Sequence, residues 1–307
     1  MSARLARSTL LVPASNWEMI VKAAASEADA VCIDLEDAVA PDAKEASRAN
    51  VIRALVELDF GRKTKAYRIN ALDTFFAYRD IIEVVEAAGH RVDVIVVPKV
   101  DRPDDLRFVA TLLSQIEARS RLSRAIGLEA LIETAMGAVN AAAIAQATPR
   151  LEGFVYGSGD YAASLRMPMA SIGEADEHDD VYPGHRWHHI MHTIVTAARA
   201  HGLRAIDGPF AGFRDEAGLE RACRVGRAMG FDGKWCIHPA QVSTANSVYC
   251  PAPADVAHAT RVLAAVADSE AAGRGALSLD GKMLDAASVR MARATVDQAR
   301  LAGLLLP

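Results

Sequence analysis

Short, continuous apolar runs recur along this chain, with longer amphipathic stretches between them. Eight runs stand out, at residues 9–13, 30–35, 65–70, 94–100, 125–133, 151–156, 204–208 and 233–238. The stretches between them are alanine-rich and of helical length, as at residues 17–26, 44–58, 76–88 and 104–119. Buried strands that alternate with helices indicate a parallel sheet covered by helices on both faces.

Eight strand–helix units in about 240 residues fit a (β/α)8 TIM barrel better than an open sheet. The alternative, a doubly wound sheet, commonly carries a GxGxxG turn after its first strand, and none follows residues 9–13. Beyond the eighth unit, helical stretches at residues 253–272 and 286–301 flank a hairpin-like segment at 278–285. We therefore predict a barrel domain at residues 1–250 and a C-terminal helical lid or oligomerisation extension at residues 251–307.

The carboxyl ends of the predicted strands carry many charged and polar side chains. Active sites of such barrels lie at these strand ends. The residues concerned are Asp34 to Asp37, Arg68, Asn70, Lys99, Glu133, Asp160, Asp207 and His238. Taken singly, Lys99 and Asp207 are better explained as salt-bridge partners than as catalysts. The set as a whole predicts a functional site.

Glu133 and Asp160 end two apolar runs that one helical stretch separates, which is the pattern of a β-α-β unit. Neighbouring parallel strands bring both acids to the same edge of the sheet. There they could share a hard divalent cation such as Mg²⁺, which prefers oxygen ligands. The alternative is that each acid caps the helix that follows it. Glycines next to both acids favour the cation site.

Composition narrows the classes of function. The chain has 307 residues, of which 51% are hydrophobic and 24% charged, as in an ordinary globular protein. Its formal net charge of −5 argues against nucleic acid as the main partner. No apolar run reaches the roughly 18 residues that a membrane span requires, so we expect no membrane partner. The four cysteines form no CxxC pair, which indicates reduced thiols and therefore the cytoplasm.

Two further segments carry polar patterns. The polar segment at residues 167–186 follows the sixth strand and is interpreted as an active-site loop or an oligomer contact. His185, His188, His189 and His192 have the spacing of one helix face, which permits a metal site. A packed, hydrogen-bonded helix face is the preferred interpretation, because no acid or cysteine completes a metal site there.

Several motifs resemble those of a known family. Residues 34–42 (DLEDAVAPD), 68–70 (RIN) and 132–135 (IETA) resemble the citrate-lyase β-subunit-like members of the HpcH/HpaI aldolase family, which are acyl-CoA lyases. Residues 67–74, 207–210, 233–239 and 279–288 are similar to the malyl-CoA lyases within that family. The resemblance covers nearly the whole chain and its motifs are long and ordered.

This resemblance implies a set of site residues. It implies Mg²⁺ or Mn²⁺ held by Glu133 and Asp160, and Arg68 as a catalytic and substrate-binding residue. Substrate contacts are implied for Gly159, Asp160, Ile237 and His238, and CoA contacts for Leu11, Asn16 and Lys22. The family carries an arginine where Asn16 stands and an aromatic residue where Leu11 stands. Of the three CoA positions, Lys22 matches the family best.

The resemblance also implies how the reaction is completed. The family's acid/base is an aspartate on the C-terminal lid, which acts on the barrel of a neighbouring subunit; Asp285 matches it here. We therefore expect a homo-oligomer, a trimer or hexamer. The expected activity is carbon–carbon cleavage of (3S)-malyl-CoA to acetyl-CoA and glyoxylate, and of β-methylmalyl-CoA to propionyl-CoA and glyoxylate.

Three alternatives stay open at this point. The first is a citramalyl-CoA lyase, because one methyl group changes pocket selectivity by only about 1–3 kcal/mol. The second is a malyl-CoA thioesterase, because the same site can polarise a thioester carbonyl toward water. The third is a subunit of a larger lyase complex that acts with a carrier protein.

Overall fold

The computed structural model describes residues 4–181, 185–271 and 277–305. Eight parallel strands close into a barrel, in which each strand pairs with the next and the eighth pairs with the first. The predicted (β/α)8 barrel is confirmed, and all eight strands lie within or next to the predicted apolar runs. They are β1 (Ser8–Pro13), β2 (Ala30–Asp34), β3 (Thr64–Arg68), β4 (Val94–Val97), β5 (Gly127–Ile132), β6 (Leu151–Tyr156), β7 (Arg204–Asp207) and β8 (Gly233–Cys236).

The barrel interior is filled by small and branched side chains. One buried cluster takes residues from β2 to β8, which can meet only inside the barrel. Its members are Cys32, Ala66, Val94, Val96, Leu131, Val155, Ile206 and Trp235. Alternate residues on the same strands point outward to the helices, so both faces are apolar and the runs are continuous.

Some of the barrel helices begin at short polar side chains that cap them. Thr134 accepts a hydrogen bond from the Gly137 amide, and Asp215 accepts one from the Gly218 amide. The helices up to the eighth are α1 (Trp17–Ala24), α2 (Lys44–Glu57), α3 (Ala77–Ala88), α4 (Pro103–Ser120), α5 (Ala135–Ile144), α6 (Ser158–Leu165), α7 (His188–Ala200) and α8 (Glu216–Met229). The C-terminal helices are α9 (Gln241–Tyr249), α10 (Pro253–Ala271) and α11 (Ala286–Leu301).

The chain divides into two compact units. The larger is Ala6–Ser247, and the smaller joins the described residues of Met1–Leu5 and Val248–Pro307. In the smaller unit α10 packs on α11 through Ala259, Val262, Ala292 and Val296. The expected hairpin is present there as β9 (Leu277–Leu279) and β10 (Lys282–Leu284). Its turn residues Asp280 and Gly281 both have positive φ, as a two-residue hairpin turn requires.

Within the described residues, no helix combines the length and the apolar character needed to cross a membrane.

Candidate active site

A cavity of about 370 Å³ lies at the carboxyl ends of the barrel strands. Its charged lining comes from four strand ends and the turns after them. Asp34 ends β2 and Arg68 ends β3, while Asp37, Glu133 and Asp160 follow β2, β5 and β6. Its apolar lining includes Leu11, Ile172, Pro209, Trp235 and Ile237. The cavity therefore lies where barrel enzymes carry their chemistry.

Arg68 is buried and held by two carboxylates. Its Nε and Nη2 lie 2.7 and 2.6 Å from the two carboxylate oxygens of Asp34, and its Nη1 lies 2.7 Å from Oε2 of Glu36. Asp34 and Arg68 are paired in the register of β2 and β3, so the fork-to-fork geometry follows from the sheet. Burial raises the pKa of Asp34, but the charge and hydrogen bonds of Arg68 outweigh burial and lower it.

Lys99 joins this cluster to Glu133. Its backbone is left-handed, with φ of 49°, and its amide donates to Oε1 of Glu133 at 2.8 Å. Its ammonium group forms an ion pair with Oε1 of Glu36 and lies 3.7 Å from Oδ1 of Asp37. Lys99 therefore has the ion pair expected of a structural residue, and its amide also orients a proposed metal ligand.

Glu133 is nearly inaccessible to solvent, with 2% exposure. It is not the cap of α5, because Thr134 caps that helix. Gly157 makes room for it: a Cβ at Gly157 would lie 2.4 Å from Oε2 of Glu133. Burial, followed by the charge of Glu36, raises the pKa of Glu133 to about 8, and the charge of Asp160 adds to the shift. A cation would relieve this electrostatic cost.

Asp160 is the third residue of α6 and lines the same cavity as Glu133. It is partly exposed, and the N-cap of α6 is Gly157, which forms no side-chain cap. Two carboxylates at one cavity, one of them buried among negative charges, form an oxygen-rich donor set of the kind that Mg²⁺ or Mn²⁺ binds. The residues present therefore fit the metal that the sequence predicted.

The other predicted contact residues do not all meet in the cavity. Leu11, Gly159 and Ile237 line it. His238 lies outside the lining, where its ring stacks on Phe213 at a centroid distance of 4.9 Å. Asn16 caps α1 through the Met19 amide, and Lys22 is exposed in the last turn of that helix. Asp285 belongs to the smaller unit, where it is exposed and caps α11.

Asp207 lines a second cavity, of about 340 Å³, rather than the first. Its Oδ2 lies 2.6 Å from Nζ of Lys234, and both side chains are buried. The predicted histidine face is only partly helical, because α7 begins at His188 and His185 precedes it. The rings of His188 and His192 pack edge to face.

Sequence reasoning gave no individual role to Trp235 or Ile172, and it named Asp34 only as one of several acids at the strand ends. Asp34 could have been paired with Arg68 from its matching position on the neighbouring strand. Trp235 lies 5.6 Å from the Arg68 guanidinium, measured to its ring centre, and lines the cavity. Ile172 comes from the polar segment at 167–186, and nothing in its local sequence marks it as a site residue.

The comparison with known proteins starts from the family. The model of the HpcH/HpaI aldolase/citrate lyase family matches residues 7–239, about three quarters of the chain. The chain belongs to this family. Its predicted assignment to the citrate-lyase-like carbon–carbon lyases is thereby confirmed.

Several relatives within the family are similar over almost the whole chain. An L-malyl-CoA/β-methylmalyl-CoA lyase of Rhodobacter capsulatus is 41% identical, covering 98% of this chain and 96% of the relative. A (3S)-malyl-CoA thioesterase of Cereibacter sphaeroides is 39% identical, covering 95% and 94%. Among solved structures, protein CitE of Mycobacterium tuberculosis in complex with magnesium, acetoacetate and coenzyme A has a TM-score of 0.75 at 31% identity, covering 96% and 98%.

Proposed function

We propose that this chain is a metal-dependent CoA-ester lyase that cleaves (3S)-malyl-CoA reversibly to acetyl-CoA and glyoxylate, and also takes β-methylmalyl-CoA. One observation carries the proposal: a buried arginine fork and a pair of carboxylates open onto one cavity at the strand ends. The 41% identical lyase and the CitE complex with magnesium and coenzyme A support it.

The cleavage breaks the bond between C2 and C3 of the 3-hydroxyacyl thioester. A base takes the hydroxyl proton, C3 becomes the aldehyde carbon of glyoxylate, and the bond electrons pass to C2 as a thioester enolate. The enolate takes up one proton at C2 and leaves as acetyl-CoA, so no oxidant or reductant is consumed. Glu133 and Asp160 would hold Mg²⁺ or Mn²⁺, which when bound would supply a Lewis acid for the emerging 2-oxoacid.

Arg68 stabilises the charge that develops on the thioester oxygen. A guanidinium has five N–H donors. Two of them donate to the carboxylate oxygens of Asp34, and Nη1 forms an ion pair with Oε2 of Glu36. Because those contacts fix the plane of the fork, a remaining donor can be directed at the enolate without reorganisation. Gly159 and Ile237 complete the substrate contacts inside the cavity, with His238 beside it.

The remaining proposed roles are contact with CoA and the acid/base function. Lys22, with Leu11 and Asn16, contacts CoA, since an exposed ammonium group suits a phosphate. Asp285 acts as the acid/base on the barrel of a neighbouring subunit in a homo-oligomer. The cytoplasm suits the protein, because all four cysteines are free thiols.

The thioesterase of Cereibacter sphaeroides, at 39% identity, favours hydrolysis of malyl-CoA as a second candidate. The two activities give different products from one substrate. A lyase releases glyoxylate and acetyl-CoA, whereas a thioesterase releases malate and CoA. Full activity of the purified chain on free CoA esters would exclude the need for a carrier-protein partner.

The test of the proposal is metal dependence. We expect glyoxylate release from (3S)-malyl-CoA to stop in EDTA and to return with excess Mg²⁺. In Glu133→Gln and Asp160→Asn, Mg²⁺ should not restore it, and calorimetry should show weakened Mg²⁺ binding. Asp104→Asn, a change in an exposed acid of α4, is the matched control and should behave as the wild type. Undiminished turnover of the wild type in EDTA contradicts the proposal.

A further inference from the structure

Ile172 is held in place by the loop after β7. Its carbonyl oxygen accepts a hydrogen bond from the Ala211 amide at 2.8 Å. The next residue, Gly173, has φ of +76°, and a Cβ there would lie 2.4 Å from the carbonyl oxygen of Pro209. The two backbones approach so closely that only glycine fits at this position. The position of Ile172 is therefore set by its backbone contacts with the loop after β7.

From this position Ile172 lines the cavity beside Gly159. A methyl group added at Gly159 would lie 3.1 Å from Cδ1 and 3.4 Å from Cγ1 of Ile172. Both residues line the cavity, and Gly159 directly precedes Asp160. Gly159 and Ile172 are therefore in close contact, and a side chain at residue 159 would require the isoleucine to shift by a few tenths of an ångström.

The esters that this site could take differ by one methyl group at either of two carbons. Malyl-CoA and β-methylmalyl-CoA carry hydrogen on the hydroxyl-bearing carbon and release glyoxylate. Citramalyl-CoA carries a methyl group on that carbon and releases pyruvate. In β-methylmalyl-CoA the extra methyl lies on the carbon next to the thioester instead. A residue that contacts only one end of the substrate should separate these cases.

We propose that Ile172 is the residue that selects glyoxylate-forming esters over pyruvate-forming ones. The inference rests on the proposed function, in which the hydroxyl-bearing carbon and its carboxylate lie toward Asp160 and the thioester toward Arg68. Ile172 then faces the substituent on the hydroxyl-bearing carbon. The methyl of β-methylmalyl-CoA lies at the Arg68 end, away from the contact between Ile172 and Gly159.

The experiment compares glyoxylate and pyruvate release from the three esters. In Ile172→Ala, kcat/KM for citramalyl-CoA relative to malyl-CoA should rise by about 10- to 200-fold, the usual effect of one methylene on pocket selectivity. Ile172→Val removes only Cδ1, the atom nearest Gly159, and should give a smaller rise. The ratio for β-methylmalyl-CoA to malyl-CoA should stay within about twofold. Leu165→Ala is the control, because Leu165 on α6 has similar exposure, 40% against 37%.

A second variant tests the contact itself. Gly159→Ala should lower citramalyl-CoA cleavage further, and the double variant with Ile172→Ala should recover part of the loss, since residues in contact couple. Calorimetry with pyruvate and Mg²⁺ gives a readout independent of turnover: pyruvate should bind more tightly to Ile172→Ala than to the wild type. Melting temperatures near that of the wild type show that the variants are folded.

The outcomes separate this inference from the proposed function. If the wild type releases neither glyoxylate nor pyruvate from any ester, the proposed function is wrong and the inference fails with it. If the wild type cleaves malyl-CoA, but Ile172→Ala leaves both the ester ratio and the pyruvate affinity unchanged, only the assignment of Ile172 is wrong. An equal rise for β-methylmalyl-CoA and citramalyl-CoA also overturns it, because the selectivity would then not lie at the Asp160 end.

Discussion

Arg68 is a buried ion-pair residue at the cavity wall, and it is also the arginine proposed to act on the thioester. It donates hydrogen bonds to both carboxylate oxygens of Asp34 and forms an ion pair with Glu36, so the side chain contributes to the fold. The same contacts hold the guanidinium plane at the cavity wall, where Trp235 packs near it. A residue with only the structural function would affect stability without affecting the turnover of the folded enzyme. The two effects can be measured separately.

We predict that Arg68→Lys lowers kcat by about 100-fold or more, because lysine keeps the charge and loses the planar fork. Steady-state kinetics give kcat and KM, and thermal unfolding gives the stability of the same preparation. Arg107→Lys is the matched control, since Arg107 is exposed on α4 and pairs with Asp104 on its own helix. A lower melting temperature with normal kcat would make Arg68 purely structural.

The pairing of Asp34 with Arg68 also predicts a pH dependence of stability. The pKa of Asp34 is lower in the folded protein than the value of about 3.9 expected when unfolded. Its contribution is therefore complete above about pH 4 and is lost as the pH falls through the folded pKa. The difference in unfolding free energy between the wild type and Asp34→Asn should shrink below about pH 4. Asp37→Asn, at a more exposed acid, should show a smaller change, and a difference independent of pH contradicts this explanation.

At the scale of elements, the junction of β6 and α6 determines how the two acids come together. The strand ends at Tyr156, the helix begins at Ser158, and Gly157 is the only residue between them. Glu133, from the end of the neighbouring strand, occupies the space that a side chain at 157 would fill. The short junction then places Asp160 in the first turn of α6, at the same cavity.

Gly157→Ala should therefore disturb the proposed metal site while both carboxylates, Glu133 and Asp160, remain in the chain. Its Cβ would lie 2.4 Å from Oε2 and 2.5 Å from Cβ of Glu133, so the carboxylate must move. We expect Mg²⁺ affinity to fall by about 10- to 100-fold, the usual cost of disturbing the support of a ligand. Calorimetric titration measures this. Gly153→Ala on β6, with contacts of 3.3 Å to Arg204, is the milder control. An equal loss in both variants would point to general destabilisation.

Much of this architecture could be predicted, because strand ends follow from apolar runs. The runs placed all eight strands, and the β-α-β pattern brought Glu133 and Asp160 to one cavity. Helix starts were less exact: the helix expected between Glu133 and Asp160 begins at Ala135, directly after its Thr134 cap. His185 was expected on α7 but precedes it. Side-chain hydrogen bonds at the N-cap set such boundaries, and the apolar periodicity of the sequence does not reveal them.

What could not be predicted depends on contacts between distant segments. Ile172 reaches the cavity because Ala211 holds its carbonyl, and no local pattern encodes that bond. Lys99 was expected to be an ion-pair partner, but its left-handed backbone and its amide bond to Glu133 arise from the packed strand ends. Contacts of this kind, between segments far apart in the sequence, form only in the folded barrel and leave no local sequence pattern.

At the scale of the whole molecule, the proposed site residues are divided between the two compact units. The arginine, both proposed metal ligands and the cavity lie in the larger unit, whereas Asp285 lies in the smaller one. In the smaller unit Asp285 accepts hydrogen bonds from the amide and hydroxyl of Ser288. Its carboxylate thus already caps α11, and the hydrogen bond from the Ser288 amide is the main cause of its lowered pKa. A test of its catalytic role must keep the cap intact.

Asp285→Asn meets that requirement, because asparagine caps helices about as well as aspartate but cannot act as the base. We expect it to be folded and inactive, and Glu133→Ala to be inactive through loss of the metal. If the smaller unit of one subunit completes the barrel of another, mixed oligomers should regain part of the glyoxylate release. Some of their sites would then pair an intact barrel with an intact Asp285.

The control is a variant with both changes in one chain, mixed with either single variant, which should stay inactive. In each of these mixtures, either Glu133 or Asp285 is missing from every chain. No site can then be complete, whichever subunits exchange. Mass spectrometry of differently tagged subunits establishes that exchange has occurred. If exchange is demonstrated and mixtures of the single variants stay inactive, the site is not shared, and Asp285 acts within its own chain or has no part in the reaction.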